Sequence, residues 1–509
     1  MSRPRKVLFL AGDQWRADAL GCMGHPLVKT PRLDRLAAEG TLFRNHFTQA
    51  SPCGPARSCL LTGTYLMTNR AVRNGTPLDR RFTNLALEAR KAGLTPYLYG
   101  YTDTAADPRG RPPRDPELQG YEGVLPGLEV GCRIDEDLRP WRAHLQAKGY
   151  GPLPEHHVDL FEPPDGSLGG PAFFEAEDSL TAFLTDRAID CLRANHDRDW
   201  LIYLSLWHPH PPLRAPAPWH AAYDPADMAP AATGQGAGLH PFHRYCLGQE
   251  QGLPYYLGNA AAGRALDPEI TAQLKATYYG LIGEADNHIG RLLDVLEETG
   301  QAEDTLVIST VDHGEMLGDQ GLLGKQTFFD PAFHIPLIVR DPRQPTAGRA
   351  VSAFTEAVDL MPTVLDWLGQ SLPGQCDGRS LKPLLTGAVP GDWREAVFWE
   401  HDFRDPVTRK AEAVLNLDSE ACNLAVLRDS RFKYVHFAKL PPLLFDIQAD
   451  PHETRNLAEE PAFQAQRLAM AEAMLRLRQR HAEQTLTNLM VGANGVGGDL
   501  AAAGLGGQA

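Results

Sequence analysis

Largely apolar segments that end in polar residues recur along the chain. Residues 7–11, 200–206 and 305–311 are such segments, and each is followed within two positions by Asp or His. Because polar residues do not alternate along them, they are typical of strands buried on both faces of a parallel sheet. Between the second and third segments, residues 270–298 place apolar side chains at helical spacing. The repetition of strand and helix predicts an α/β fold with a large, mostly parallel sheet flanked by helices.

The pattern changes after about residue 383. Short apolar or alternating segments separated by polar turns predict a small antiparallel sheet, and a helical pattern follows them. The predicted strands cover residues 396–399, 424–427, 432–437 and 443–446, and the helix covers about 462–484. We therefore expect an α/β domain over residues 1–383, an α+β domain over 384–490 and a Gly/Ala-rich tail over 491–509. The tail is a candidate oligomer arm.

The ends of the predicted parallel strands carry polar side chains. They are followed by Asp13-Gln14, His208-Pro209-His210 and Asp312-His313. Ligands of open α/β sheets bind beyond the carboxyl ends of the strands, so these groups are expected to meet there. Two Pro/Gly-rich segments, 108–131 and 209–263, lack periodicity and predict long loops over the same edge. The sequence therefore predicts a functional site at this edge of the sheet.

Composition narrows the class of protein. The chain has 509 residues, of which 43% are hydrophobic and 22% charged, as in ordinary globular proteins. Its 49 Lys and Arg residues against 64 Asp and Glu residues leave a net charge of −15. That charge repels polyanions, which argues against nucleic acid or an anionic membrane as the partner. A small anionic substrate remains compatible with a locally positive pocket.

The cysteines and the beginning of the chain bear on location. The eight cysteines form no C-x-x-C pair and no regular spacing, which argues against a disulfide scaffold or a zinc finger. The apolar run at residues 7–11 is too short for a signal peptide, and no run approaches the ~18 residues of a membrane span. We therefore expect a cytoplasmic protein without a membrane-spanning segment.

The segment from Cys53 to Gly63 is the most informative one. Pro55 suits the first turn of a helix and Gly63 suits its end, which places Cys53 just before the helix N-terminus. A nucleophile there faces free N–H groups that favour an anion, as attack on a sulfate or phosphate ester requires. The alternative is a buried structural cysteine, a common fate of this residue.

Several motifs in a shared order carry a resemblance that spans almost the whole chain. They are Asp13-Gln14-Trp15-Arg16, Cys53-Gly54-Pro55-Ala56-Arg57, His208-Pro209-His210-Pro211-Pro212, Asp312-His313-Gly314-Glu315 with Gly324-Lys325, and Leu444-Phe445-Asp446. The chain resembles the sulfatase branch of the alkaline phosphatase superfamily, and phosphonate monoester hydrolases in particular. The resemblance implies an alkaline phosphatase-like fold and conversion of Cys53 to formylglycine by a formylglycine-generating system. It also implies a homo-oligomer, either a dimer or a tetramer.

The resemblance further implies one divalent metal ion. Its expected ligands are Asp13, Gln14, Asp312, His313 and the oxygen derived from Cys53. Many sulfatases carry a carboxylate and an amide where this chain has Gln14 and His313. The exchange makes the site less negative and softer, which favours Mn²⁺ over Ca²⁺, with Mg²⁺ as a further alternative.

Positively charged and polar residues are expected to hold the substrate anion. By resemblance, Arg57 orients the gem-diol that formylglycine forms with water, and Lys325 contacts the transferring group. His210 contacts the oxyanion or protonates the leaving oxygen. The alternatives are that Arg57 pairs with a core carboxylate and that His208 and His210, on one side of an extended segment, bind a second metal; His208 alone would be structural. Asn74 is either a turn residue or a contact of the anion.

Tyr101 and Asp103 depart from the family pattern. Typical sulfatases have Lys and His at these positions, and phosphonate monoester hydrolases have Tyr and Thr. Loss of the Lys favours singly charged esters over dianionic phosphate monoesters, with Tyr101 as a substrate contact. We hypothesise that Asp103 is the base that removes the second proton of the gem-diol; the alternative is a carboxylate that caps a helix.

Three functions follow from these observations. The first is a formylglycine-dependent metallohydrolase of aryl sulfate monoesters, with overlapping activity on phosphonate monoesters and phosphodiesters. The second reverses that order and makes the protein chiefly a phosphonate monoester hydrolase and phosphodiesterase. The third is an unmodified metal-binding protein without catalytic activity.

Overall fold

The computed structural model describes residues 5–156, 158–234, 238–249, 252–344, 347–493 and 495–498. The strands are β1 (Lys6–Gly12), β2 (Thr41–Phe43), β3 (His46–Phe47), β4 (Thr95–Gly100), β5 (Glu129–Arg133), β6 (Trp200–Ser205), β7 (Thr305–Val311), β8 (Leu337–Arg340), β9 (Arg349–Val351), β10 (Thr355–Glu356), β11 (Ala396–Asp402), β12 (Asn423–Asp429), β13 (Phe432–Phe437), β14 (Leu443–Asp446), β15 (Leu489–Gly492) and β16 (Gly495–Gly498). The helices are α1 (Pro31–Glu39), α2 (Cys53–Thr62), α3 (Leu66–Asn69), α4 (Leu85–Lys91), α5 (Arg139–Ala147), α6 (Leu180–Ala194), α7 (Pro241–Leu247), α8 (Leu253–Leu257), α9 (Pro268–Glu298), α10 (Asp330–Phe333), α11 (Leu360–Leu368), α12 (Lys382–Leu385), α13 (Lys410–Leu415) and α14 (Gln464–Arg480).

The central sheet confirms the predicted α/β architecture. Among the described residues it has the strand order β5-β4-β6-β1-β7-β8-β2-β9. The five strands from β5 to β7 are parallel to their neighbours, whereas β8 runs antiparallel to both β7 and β2. All residues of β1 and β7 are buried, as their apolar sequences predict. Helix α9 packs against α1 and α6, while α11 packs against α2 and α4.

The C-terminal part confirms the predicted small antiparallel sheet and helix. Its strands follow the order β11-β12-β13-β14, and α14 packs on β12 and β13. The sheet adjoins the segment before Cys53, since Glu400 N donates to Gln49 O over 3.0 Å. The boundaries at residues 383 and 490 stay predictions. Of the predicted tail, residues 491–493 and 495–498 belong to the exposed hairpin β15–β16, and residues 494 and 499–509 lie outside the described residues.

The two predicted long loops contain regular structure. Segment 209–263 includes α7 and α8, and β5 begins inside segment 108–131. Strand β4, which the sequence pattern did not predict, lies between β5 and β6. Its second residue is Pro96, which cannot donate a ladder hydrogen bond and therefore obscures the strand signal.

A buried charge cluster joins the two parts of the chain. Lys433 on β13 is fully buried, and its ammonium donates to Asp330 over 2.9 Å and also to Glu453. Arg428 on β12 donates to the second oxygen of Asp330 over 2.7 Å. Asp330 begins α10, five residues after Lys325. The small sheet thus holds in place the segment that follows Lys325.

Two further expectations concern cysteines and membranes. All eight cysteines lie in the described residues, and none forms a disulfide, in agreement with the sequence pattern. Within the described ranges, no helix has both the length and the apolar character that crossing a bilayer requires.

Candidate active site

The carboxyl ends of β1 and β7 bring two carboxylates together. Gly12 and Val311 are register partners in the parallel pair, so Asp13 and Asp312 follow at the same edge of the sheet. Both side chains are buried, and Asp312 N donates to Gly12 O over 3.3 Å. The edge predicted from the strand ends is therefore the place where the polar groups meet.

Cys53 is the first residue of α2, one position later than the sequence placed it relative to the helix start. The helix is buried along its length and ends at Gly63, whose φ of 68° suits a residue without a Cβ. The thiol of Cys53 lies 3.1 Å from Nε2 of His313 and 3.9 Å from Asp13 Oδ1. Burial and the neighbouring Asp13 raise the pKa of this thiol well above its ordinary value. An unmodified Cys53 is therefore held as the neutral thiol, a poor nucleophile.

Four side chains form a compact donor set for a metal ion. The donor atoms of Asp13, Cys53, Asp312 and His313 all lie within 4.8 Å of one another, and all four residues are buried. Burial lowers the pKa of His313, so its imidazole is neutral, and Nδ1 lies 3.0 Å from Gly314 O. That contact needs the proton on Nδ1 and leaves the Nε2 lone pair toward the donor set. Two carboxylates and one imidazole fit a divalent metal ion.

Arg57 contacts both carboxylates of this donor set. It is fully buried, and its guanidinium donates to Asp312 Oδ2 over 3.0 Å and to Asp13 Oδ2 over 3.1 Å. Burial disfavours ionisation of Asp13, but the positive charges of Arg57 and Lys325 outweigh it and hold the pKa of Asp13 below its ordinary value. Tyr101 donates its hydroxyl to the same Asp13 oxygen over 2.7 Å. In the structure Arg57 therefore pairs with buried carboxylates, which was the alternative interpretation from the sequence. Tyr101 orients Asp13, a candidate metal ligand.

The backbone N–H of Gln14 donates to Asp312 Oδ1 over 3.2 Å, whereas its side chain bonds to residues outside the donor set. Its amide oxygen accepts a hydrogen bond from the Lys325 ammonium, and its amide nitrogen donates to Glu315. Glu315 also accepts from Gly324 N over 2.6 Å, which ties the glycine before Lys325 to the same network. The metal-ligand role of Gln14 stays a prediction. Its contacts in the structure position Lys325.

A cavity of about 840 Å³ opens above the donor set. Its lining includes all the predicted substrate contacts, namely Asn74, Tyr101, His210 and Lys325, together with Cys53 and Asp103. Burial alone would lower the pKa of Lys325, but the Asp13 and Asp312 carboxylates raise it, so the ammonium keeps its charge. Burial and the nearby Lys325 lower the pKa of His210, which makes its imidazole neutral.

His208 and His210 do not share one side of the chain. The segment turns instead of running extended, because His210 N donates to Trp207 O over 3.0 Å. His208 is fully buried beside Thr181 and lies 3.6 Å from Glu284, whereas His210 lines the cavity. The shared second-metal site is therefore wrong, and the structural interpretation of His208 agrees with its burial.

Asp103 is buried beside the donor set with a φ of 48°. Its carboxylate lies 4.0 Å from Arg57 Nε. Burial raises the pKa of Asp103 to about 7, and the charges of Asp13 and Asp312 act in the same direction. Residues 101–104 lead into no helix in the described structure, so the helix-capping alternative is wrong.

Asn74 holds the start of α2. Its side-chain oxygen accepts the Gly54 N–H over 2.8 Å, and an added Cβ on Gly54 would meet that oxygen at 3.1 Å. We expect Asn74→Ala to lower the free energy of unfolding by about 1 kcal/mol, because one buried N–H loses its acceptor. Urea denaturation checks this value. Asn45→Ala, which removes an exposed amide donated to Ser352 O, is the control and should change it less.

Three supporting residues were not found from the sequence. Ser205 accepts from Arg57 over 2.6 Å but lies inside the apolar run of β6, where it gives no signal of its own. Glu315 belongs to the Asp312-His313-Gly314-Glu315 motif, which could have indicated it. Glu122 lines the cavity from a segment read only as a loop.

Comparisons with known proteins agree with this geometry. The profile of the Sulfatase family matches residues 5–370, and that of the C-terminal part of N-sulphoglucosamine sulphohydrolase matches residues 318–480. The multifunctional alkaline phosphatase superfamily protein PehA of Trinickia caryophylli is 40% identical over 499 residues, which cover 95% of this chain and 97% of that protein.

Two solved structures share the fold over nearly the whole chain. The phosphonate monoester hydrolase of Agrobacterium radiobacter has a TM-score of 0.92 at 42% identity, and that of Silicibacter pomeroyi has 0.93 at 41%. Each alignment covers 97% of this chain and 99% of the other. The alkaline phosphatase-like fold is thereby confirmed, and the protein is a hydrolase of ester bonds. The chain belongs to the sulfatase family.

Proposed function

We propose that the protein is a metal- and formylglycine-dependent hydrolase of singly charged esters, with phosphonate monoesters and phosphodiesters ahead of aryl sulfates. The observation that carries the proposal is the buried donor set at the start of α2, beneath a cavity lined by Lys325 and a neutral His210. This ranking reverses the first expectation from the sequence, because the relatives that align over nearly the whole chain include phosphonate monoester hydrolases. The acidic Asp103 supports sulfate monoesters as the second candidate.

Asp13, Asp312, His313 and the modified residue 53 would hold one divalent cation. When bound, it would supply Lewis-acid stabilisation of the ester oxygen and lower the pKa of a hydroxyl group. The mixture of carboxylates and imidazole supports Mn²⁺ over Ca²⁺. Arg57 would keep Asp13 and Asp312 in their ligating positions, and Tyr101 would help to hold Asp13.

The state of the thiol supports modification of Cys53. A buried thiol with a raised pKa is unsuited to attack at neutral pH, whereas the hydrate of an aldehyde presents a hydroxyl at the same point. Conversion of the thiol to an aldehyde is an oxidation, so we propose a separate formylglycine-generating system as the maturation partner. Free N–H groups at the start of α2 would favour the substrate anion there.

Lys325 and His210 would have separate roles in contact with the substrate. Lys325 is fixed by Gln14 and supplies one positive charge to the transferring group. Nδ1 of His210 lies 2.7 Å from Pro211 O, so Nε2 is the free ring nitrogen. A site with one ammonium on the substrate side matches a monoanion better than a dianion.

The proposal is tested with three 4-nitrophenyl esters: a phenylphosphonate monoester, a sulfate and a phosphate monoester. We expect kcat/KM to be highest for the phosphonate and at least about tenfold lower for the dianionic phosphate monoester, which corresponds to about 1.4 kcal/mol. Mass spectrometry of the tryptic peptide from Asn45 to Arg57 establishes the chemical state of Cys53. A higher kcat/KM for the sulfate would support the second candidate, and the absence of turnover of all three by modified, metal-loaded protein would refute both.

Asp103 is expected to act as a base. We expect Asp103→Asn to lower kcat about 10²-fold, because removal of one general base has effects of this size. Since the pKa of Asp103 is about 7, the wild-type rate should rise as the pH increases through that value, and the variant should lose this limb. Asp107→Asn, which changes the carboxylate paired with Arg109 nearby, is the control. Unchanged turnover and an unchanged pH profile in Asp103→Asn would contradict the assignment.

We also propose that the protein is a homo-oligomer. The hairpin β15–β16 exposes Met490 and Val491, with 78% and 81% of their surfaces accessible. Exposed apolar side chains of this kind support a contact between copies.

A further inference from the structure

One wall of the cavity carries carboxylates. Asp103 and Glu122 line it and are buried, with 6% and 8% of their surfaces exposed, and Glu136 lines it from a more exposed position. Without a partner the two buried carboxyl groups are held partly protonated, since burial and the neighbouring Asp103 raise the pKa of Glu122 to about 8, and a cation that met them would favour their ionised forms.

The wall lies directly beside the nucleophile. Thr102 donates its hydroxyl to Gly123 O over 2.9 Å and accepts from Leu125 N over 3.0 Å, which joins the Asp103 segment to the Glu122 segment. An added Cβ on Gly54, the residue after Cys53, would lie 2.9 Å from Asp103 O. The organic substituent of an ester bound at residue 53 is therefore close enough to contact this wall.

No cation among the described residues donates a hydrogen bond to the carboxyl group of Asp103 or Glu122, although Arg57 and Lys325 oppose the rise in the pKa of Asp103 and Arg133 opposes that of Glu122. Arg57 lies 4.0 Å from Asp103 but already donates to Asp312, Asp13, Ser205 and the Tyr101 carbonyl. Among the described residues, no Lys, Arg or His forms an ion pair with Glu122. Arg133 donates to the backbone oxygen of Glu122.

Other carboxylates that line the cavity have cationic partners. Asp402 is paired with Arg404 over 2.8 Å, and Asp405 is paired with Arg73 over 3.4 Å. Asp103 and Glu122 therefore differ from these lining carboxylates in their partners.

Aromatic side chains share the cavity with these carboxylates. Tyr121, Trp207 and Tyr255 all line it. Aromatic faces attract cations, and the combination of carboxylates with aromatic rings is suited to an ammonium group. An added Cβ on Gly75, the neighbour of Asn74, would lie 3.3 Å from Tyr121 Cβ, so this ring belongs to the wall beside the nucleophile.

We propose that this wall, with Glu122 and Tyr121 as its contacts and Asp103 beside them, binds an ammonium group on the organic substituent of the ester. The preferred substrate is then a zwitterion, a phosphodiester or phosphonate monoester that carries an amino alcohol. The inference rests on the proposed function and names its substrate class. Glu122 is a specificity-determining residue and takes no part in bond cleavage.

Two chromogenic phosphodiesters test the inference. Both release 4-nitrophenol; one carries a 2-(trimethylammonio)ethyl group and the other carries its uncharged isostere, 3,3-dimethylbutyl. We expect kcat/KM to be about tenfold or more higher for the charged ester, since a partly buried ion pair contributes on the order of one factor of ten. Glu122→Gln should bring the ratio of the two kcat/KM values close to one, chiefly by lowering kcat/KM for the charged ester. Glu117→Gln, on the same segment but outside the cavity, should keep the wild-type ratio.

Binding without chemistry separates this inference from the proposed function. Calorimetric titration of the Cys53→Ala variant with each ester should give a dissociation constant about tenfold lower for the charged one, and this difference should vanish in Cys53→Ala/Glu122→Gln. A wild-type ratio of one or less, or a ratio unchanged by Glu122→Gln, overturns the inference while turnover upholds the proposed function. If neither ester is hydrolysed but charge-selective binding depends on Glu122, the proposed function fails and the ammonium site stands.

Discussion

Replacement of Cys53 by alanine is expected to lower kcat/KM for every ester at least about 10³-fold, the scale seen when a covalent nucleophile is removed. The side chain lies at the first position of α2, in contact with His313 and beside Asp13, and alanine has no oxygen or sulfur to offer there. Because the thiol is a small buried group, its loss should leave the fold intact.

Cys59→Ala is the matched control. Cys59 lies on the same helix, is fully buried and also has a thiol pKa raised by burial, but it lies outside the donor set. Steady-state kinetics and thermal unfolding of both variants should show lost turnover only for Cys53→Ala, with similar stabilities. Retained turnover in Cys53→Ala would remove residue 53 from the mechanism.

Replacement of Arg57 by methionine is expected to lower the free energy of unfolding of the metal-free protein by about 3–5 kcal/mol, as loss of one partner from a buried ion pair does. Asp13 and Asp312 would keep their negative charges without the guanidinium that both now contact. Their mutual repulsion should also displace the donor set and abolish turnover.

Urea denaturation with and without Mn²⁺ measures this effect. A divalent cation would neutralise the same carboxylates, so its addition should recover part of the lost stability in Arg57→Met. Arg187→Met on α6, where the arginine is half-exposed, is the control and should change the free energy of unfolding by less than about 1 kcal/mol. A loss of less than about 1 kcal/mol in Arg57→Met would contradict the buried-pair account.

The parts of the site that the sequence predicted are those set by the sheet. Residues 7–11 and 305–311 form β1 and β7, and adjacent parallel strands necessarily bring the residues after them together. The pattern alone could therefore place Asp13, Asp312 and His313 at the same edge of the sheet, although it did not predict that β1 and β7 are adjacent. The family resemblance added Cys53 to this edge.

The parts that could not be predicted depend on contacts between distant segments. The position of the Gln14 side chain is set by Lys325 and Glu315, about 300 positions away, and local sequence does not encode that choice. His208 and His210 are separated by a turn where the sequence predicted an extended segment. The pairing of Arg57 with both carboxylates likewise arises only when α2 is docked on the sheet.

The buried contact of Lys433 with Asp330 and Glu453 couples the two parts of the chain, so that neither part can be exchanged without the other. A fragment that stops at residue 383 would keep every donor of the metal set but lose the lysine that holds the start of α10. Lys325 would then be left on a segment without its anchor. Chimaeras that exchange C-terminal parts between relatives must therefore carry matched residues at 330, 433 and 453. Substrate preference and the small sheet would change together in such exchanges.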